Sequence, residues 1–278
     1  MHVETSGSGA PLLLIHGWGM HGGMWGSVVE QLAEDHRVHV VDLPGHGFSG
    51  KGEGFAPAVL KGEGGAVLPF SLLSSLFSLD AIVEQLAAQF FDTGPMTVCG
   101  WSLGGQIALR WAQLEPHKIE RLILVSSTPC FVRKADWPCA MAAETLAEFA
   151  AALTANHAQT LRRFLALQMR GSDRERELLT GLRAALFSRG EPDLAALQGG
   201  LAILRDTDQR AALQDIAKPA LVIAGGRDTL TPLAASEHMA DAMPNACLAS
   251  IPGAAHAPFL SHPEQFIEHL KRFLHERI

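Results

Sequence analysis

Residues 98–105, Val98-Cys99-Gly100-Trp101-Ser102-Leu103-Gly104-Gly105, decide how this chain reads. Ser102 sits at the centre of a G-x-S-x-G pattern. An apolar run from Met96 to Cys99 precedes it, and a helical pattern (Ile107, Ala108, Trp111, Ala112) follows. A serine between a strand and a helix must turn tightly, and glycines two residues before and two after remove the Cβ atoms that would clash there. The serine hydroxyl is then exposed at a helix N-terminus, where backbone N–H groups can hold a developing negative charge.

Similar short apolar runs recur outward from this turn, at Leu12–Ile15, Val38–Asp42, Leu122–Ser126, Leu221–Ala224 and Leu248–Ile251. Nearly uniform apolarity over four to six residues is the mark of parallel strands covered on both faces. Helical stripes alternate with them. Residues 80–91 align Ile82, Val83, Leu86, Ala87 and Phe90, and a last helix opens at Pro263 and turns Phe266, Leu270, Phe273 and Leu274 inward. The expected fold class is α/β, a doubly wound and mostly parallel sheet. One stretch of about ninety residues breaks the alternation, with candidate helices at Ala143–Leu153, Gln159–Met169 and Arg174–Phe187. This predicts a helical cap over 128–205, inserted in a core made of 1–127 and 206–278, where a lid would sit. Residues 51–70 contain two ten-residue units that each begin Lys-Gly-Glu-Gly. A mobile insertion is expected over 50–78.

The 278 residues suffice for one large domain with a sizeable core, and 47% hydrophobic with 18% charged residues is a globular composition. A net charge of −7 argues against nucleic acid or an anionic membrane as partner. No apolar run approaches the length of a membrane span. The first residues lack the basic and apolar regions of a signal peptide, and the four cysteines have neither metal nor disulfide spacing. The expectation is a cytoplasmic monomer, with Cys99 and Cys247 as buried thiols.

A serine hydroxyl needs a base to take its proton and an acid to orient that base, in the chain order Ser, Asp or Glu, His on such a sheet. Asp228 follows the run Leu221–Ala224, and His256 follows Leu248–Ile251. Both lie just past C-terminal strand ends, where open α/β sheets bind ligands. Ser102, Asp228 and His256 are therefore the expected catalytic residues. His46, in a Pro-Gly-His-Gly turn, reads as structural, Asp42 as a turn cap, and Asp206 and Asp208 as surface or hinge carboxylates. Two oxyanion donors are needed. The Leu103 N–H, next to the nucleophile, is one. The Trp18 N–H, in the loop His16-Gly17-Trp18-Gly19 after the first apolar run, is the other. The Trp18 indole is expected to wall the pocket. No metal or organic cofactor is expected.

These motifs resemble the α/β-hydrolase superfamily. Within it the chain is similar to the family of pimeloyl-acyl-carrier-protein methyl ester esterases of biotin synthesis. The likeness runs through Leu14–Gly19, Val41–Gly47, Gly100–Gly105, Ser126–Phe131, Arg163–Gln168, Gly199–Leu204 and Ala254–Phe259. The resemblance implies the α/β-hydrolase fold and hydrolysis of a carrier-bound methyl ester. It also implies substrate contacts at Trp18, Ser102, Leu103, Phe164, Leu165, Ala166, Leu167, Gln168 and His256. An acidic acyl-carrier protein bearing the pimeloyl methyl ester is the implied partner. Residues 133–205 carry ten Lys/Arg against eight Asp/Glu, a local +2 within a chain of −7. Arg162, Arg163, Arg170, Arg174 and Arg176 are the candidate docking residues. The triad alone also allows a general short-chain carboxylesterase, a carbon–carbon bond hydrolase, a cofactor-free lyase of menaquinone synthesis or a hydrolase-fold ligand receptor.

Overall fold

A computed structural model describes residues 1–49 and 76–276. The expected insertion over 50–78 lies, but for its last three residues, outside the described residues. Among the described residues seven strands form one sheet: β1 (His2–Ser6), β2 (Ala10–Ile15), β3 (His36–Asp42), β4 (Met96–Trp101), β5 (Ile119–Val125), β6 (Ala220–Gly225) and β7 (Ala246–Ile251). Their order is β1-β3-β2-β4-β5-β6-β7. β1 runs antiparallel to β3, and every other pairing is parallel. The six runs read from sequence are β2 to β7. β1 was not legible, because His-Val-Glu-Thr-Ser on an exposed antiparallel edge has no apolar run to show.

The helices are α1 (Ser27–Leu32), α2 (Leu79–Gln89), α3 (Leu103–Leu114), α4 (Ala143–Ala155), α5 (His157–Met169), α6 (Glu175–Ala185), α7 (Leu194–Asp206), α8 (Leu233–Ala242), α9 (Pro258–Ser261) and α10 (Pro263–His275). Local chemistry sets their ends. The Ser78 hydroxyl accepts from Ala81 N–H at 3.2 Å to open α2, and the Asn156 side chain accepts from Gln159 N–H at 3.0 Å to open α5. Helices α2, α3 and α10 turn apolar stripes onto the sheet, and β4 is buried along its whole length.

Helices α4 to α7 all fall between β5 and β6. The chain leaves and re-enters the sheet domain at one place. Cys130 and Asp208 form an antiparallel bridge there, and Asp208 pairs with Lys134 at 2.7 Å and with Arg210 at 2.8 Å. Asp208 is thus an ion-paired carboxylate at the base of the segment between β5 and β6. Cys99 is buried, but Cys247 is exposed, contrary to the sequence expectation. β7 is the sheet's outer strand, so an apolar stretch there keeps one side open to water.

Candidate active site

The central strand β4 ends at Trp101, and Ser102 follows with φ +56°, a left-handed backbone. Gly100 and Gly104 make that turn possible: a Cβ on either would overlap main-chain atoms, of Gly104 and of Ile15 respectively. The Ser102 N–H donates to Val125 O at 2.9 Å, which ties the turn to the next strand. The loop after β6 presents Asp228, and the loop after β7 presents His256; both are buried. His256 Nδ1–H donates to Asp228 Oδ2 at 2.7 Å. The remaining ring nitrogen, Nε2, is buried with no hydrogen-bond partner among the described residues. Contacts between a nucleophile and its base are commonly long before substrate arrives and tighten afterwards.

The carboxylate is itself held. Asp228 Oδ1 accepts from the N–H groups of Leu230 and Thr231 at 2.8 and 3.0 Å, and Oδ2 accepts from the Thr231 hydroxyl at 2.7 Å. The main chain of His256 is fixed at both ends. Its N–H donates to Gln168 O at 3.0 Å, and its carbonyl accepts from the Trp101 indole at 2.8 Å. Sequence reasoning missed Thr231 and the anchoring role of Trp101. Each adjoins an expected catalytic residue, in the Asp228-Thr229-Leu230-Thr231 turn and immediately before Ser102.

Trp18 lies in the loop after β2. A Cβ at its neighbour Gly17 would stand 3.3 Å from the Ser102 Cβ, so this loop runs directly against the nucleophile. Neither the Trp18 N–H nor the Leu103 N–H has an acceptor among the described residues. Of the expected substrate contacts in α5, Phe164 stands edge-on to the Trp18 ring, centroids 4.8 Å apart, and Gln168 bonds the His256 loop. The Gln168 Oε1 is buried without a partner among the described residues. Residues three or four apart share a helix face whereas those two apart do not, so Ala166 is turned from the face that Phe164 and Gln168 share; Ala166 and Leu167 are both half-buried. Leu165 is fully buried in the core.

The expected docking arginines divide. Arg174 is paired with Glu177. Arg162, Arg163, Arg170 and Arg176 are exposed and have no ion-pair partner among the described residues. Arg183, in the last turn of α6, joins them and was not singled out from sequence. His46 is buried, its Nδ1–H donating to Pro44 O at 2.9 Å. Asp42 accepts from the N–H groups of Gly22 and Phe48 at 2.6 and 2.8 Å, which is a structural role. A groove of about 970 Å³ opens between α4 and α7, lined by Phe77, Leu79, Leu146, Ala150 and Leu201, and none of the three catalytic candidates lines it. Among the described residues no cluster of three or more His, Cys, Asp or Glu is placed to hold a metal ion.

A strained serine at the end of the central strand, with a buried Asp–His pair from the two strands beyond, defines a hydrolase of the α/β type. The chain belongs to the α/β hydrolase fold family, whose sequence model matches residues 10–263. It belongs more narrowly with the pimeloyl-[acyl-carrier protein] methyl ester esterases. The one from Nitrosomonas europaea is 43% identical over 96% of each chain. The one from Chromobacterium violaceum is 42% identical over 99% of this chain and 98% of its own. Among solved structures, an esterase from Exiguobacterium antarcticum superposes with a TM-score of 0.83 at 21% identity, over 99% of this chain and 95% of that one, a likeness of fold.

Proposed function

We propose that this chain is a serine carboxylesterase that hydrolyses the methyl ester of pimeloyl-acyl-carrier protein in biotin synthesis, releasing methanol. The observation that carries this reading is the buried Asp228–His256 pair beside the Ser102 turn, in a chain 43% identical end to end to an esterase of that name. Ser102 Oγ attacks the ester carbonyl while His256 Nε2 takes its proton. Asp228 holds the Nδ1–H tautomer and favours the imidazolium that forms. The N–H groups of Leu103 and Trp18 receive the oxyanion. The tetrahedral adduct collapses, and His256 returns the proton to the departing methoxide. Water, deprotonated by His256, then attacks the acyl-serine and frees the acid. No step calls on a metal or organic cofactor, and all three groups come from one chain.

The partner is the acidic carrier protein, steered by Arg162, Arg163, Arg170, Arg176 and Arg183 on and beside α5 and α6, which have no ion-pair partner among the described residues. Arg174, already neutralised by Glu177, contributes least. Reversing Arg163 and Arg176 to Glu raises KM for the carrier-bound ester about tenfold relative to a short p-nitrophenyl ester. Among the described residues no helix is long and apolar enough to cross a membrane, and the four cysteines are free. A substrate tethered to a biosynthetic carrier fits a cytoplasmic enzyme.

The test is methyl loss from pimeloyl-carrier-protein methyl ester, read by intact mass for wild type and Ser102→Ala. Loss by wild type alone supports both nucleophile and substrate. Cleavage of short p-nitrophenyl esters without methyl loss would move the chain to the general esterases.

A further inference from the structure

The Trp18 indole is almost fully buried, and its one donor is used far along the chain: Nε1–H donates to the carbonyl of Leu197 in α7 at 2.9 Å. A carbonyl has two lone pairs, so Leu197 can accept this bond and keep its helical one. α7 comes this near only because residue 200 is glycine. A Cβ there would stand 2.5 Å from Cδ1 and 3.0 Å from Nε1 of Trp18. Its neighbour Gly199, about a quarter turn round the same helix, abuts Phe77. Glycine in a helix interior costs about 1 kcal/mol against alanine, so two in succession are tolerated where close approach demands them. The ring is enclosed by this helix, by Phe164 of α5 at 4.8 Å and by Leu103, whose Cδ2 lies 3.5 Å from the same missing Cβ.

The other end of the same residue carries the amide N–H that has no acceptor among the described residues and lies in the loop against Ser102. We propose that α7 is the positioning element of the oxyanion hole: the Leu197 carbonyl and the bare Cα of Gly200 fix the Trp18 indole, and the indole fixes the amide. The proposal rests on the assignment of Ser102 as nucleophile and of the Trp18 N–H as oxyanion donor. A donor stabilises a developing oxyanion only if it is already aimed when the charge forms. A loop residue gains that rigidity from a long-range bond through its side chain. Trp18 is thus a positioning residue through its ring and a donor through its backbone.

The experiment compares wild type, Trp18→Phe, Gly200→Ala and the double variant on a short p-nitrophenyl ester. It reads kcat and KM separately, together with the inhibition constant of an alkyl trifluoromethyl ketone, whose serine adduct places an oxyanion in the hole. Trp18→Phe keeps a ring against Phe164 but loses the bond to Leu197 and the bulk of the second ring beside Gly200. Its kcat falls about tenfold, the ketone weakens by a similar factor, and KM stays within about twofold, because the lost interaction belongs to the transition state. Gly200→Ala falls further in the wild-type background and costs little in the Trp18→Phe background, where the smaller ring leaves room for the added methyl.

Ketone affinity and kcat within twofold of wild type in Trp18→Phe would overturn the proposal. So would equal costs of Gly200→Ala in both backgrounds, or a loss confined to KM and melting temperature. Failure of the underlying assignment has its own signature, which takes the proposal with it: wild type unreactive toward a fluorophosphonate, or Ser102→Ala still active.

Discussion

His256 is held by its ring, by its N–H and by its carbonyl, and the three partners come from three different parts of the chain. Such a base needs little reorganisation when it accepts a proton. Asp228→Asn frees the ring to take the wrong tautomer, and kcat falls about 10⁴-fold with KM nearly constant. Thr231→Val removes one bond to a charged oxygen, an effect of about 1.5–3 kcal/mol, so steady-state kinetics show kcat lowered by tenfold or more. Ser102, Asp228 and His256 were legible because chain order and strand ends both point to them. Thr231 was not, since a threonine three residues beyond an aspartate is common in turns. The Trp18–Leu197 bond joins positions 179 residues apart, a distance that no local pattern spans.

At the scale of elements, the strand-turn-helix of β4, Ser102 and α3 is the most constrained unit. Gly100→Ala would push a methyl into the main chain of Gly104, and thermal denaturation then shows a loss of about 3 kcal/mol or more, with activity lost in parallel. The parallel strands were readable from composition because burial on both faces leaves them uniformly apolar. Three of the four helices between β5 and β6 were readable from their stripes. α7 was not, because Gly199 and Gly200 dilute the helical signal at the very point where close packing requires them. On α5 the likeness of a five-residue run did not resolve which residues face the site. Helical geometry narrows it: Phe164 and Gln168 share one face, beside Trp18 and the His256 loop, and Ala166, two residues from each, lies off that face.

For the molecule as a whole, acid is the condition that exposes a hidden cost. His16 and His46 are buried with ring centroids 5.3 Å apart. Burial and the neighbouring His46 push His16 down to about 3 from the usual 6.5, and burial pushes His46 down to about 4. His16 donates from Nδ1 to Gly17 O at 2.8 Å and accepts from Leu43 N–H at Nε2 at 2.9 Å, an arrangement open only to the neutral ring. The unfolded chain takes up these protons below about pH 6.5 and the folded chain does not. Stability is therefore complete above that pH and declines as pH falls toward 4, by on the order of 2 kcal/mol per ring at about pH 5. Melting temperatures recorded from pH 7.5 to 4.5 check this, and replacing His46 with Gln flattens the slope. Asp42 acts in the same direction: burial opposes its ionisation, but the Gly22 and Phe48 amides and the Arg189 guanidinium hold its carboxyl below the usual range. The bond from His256 N–H to the Gln168 carbonyl has a consequence for how such proteins diverge. A segment that supplies main-chain partners to the base is no interchangeable module. A chimera that took residues 128–205 from a relative would inherit that relative's alignment of the histidine along with its preference for substrate. Exchange of the segment between β5 and β6 is therefore expected to change turnover together with substrate preference, which kcat and KM of such chimeras would show.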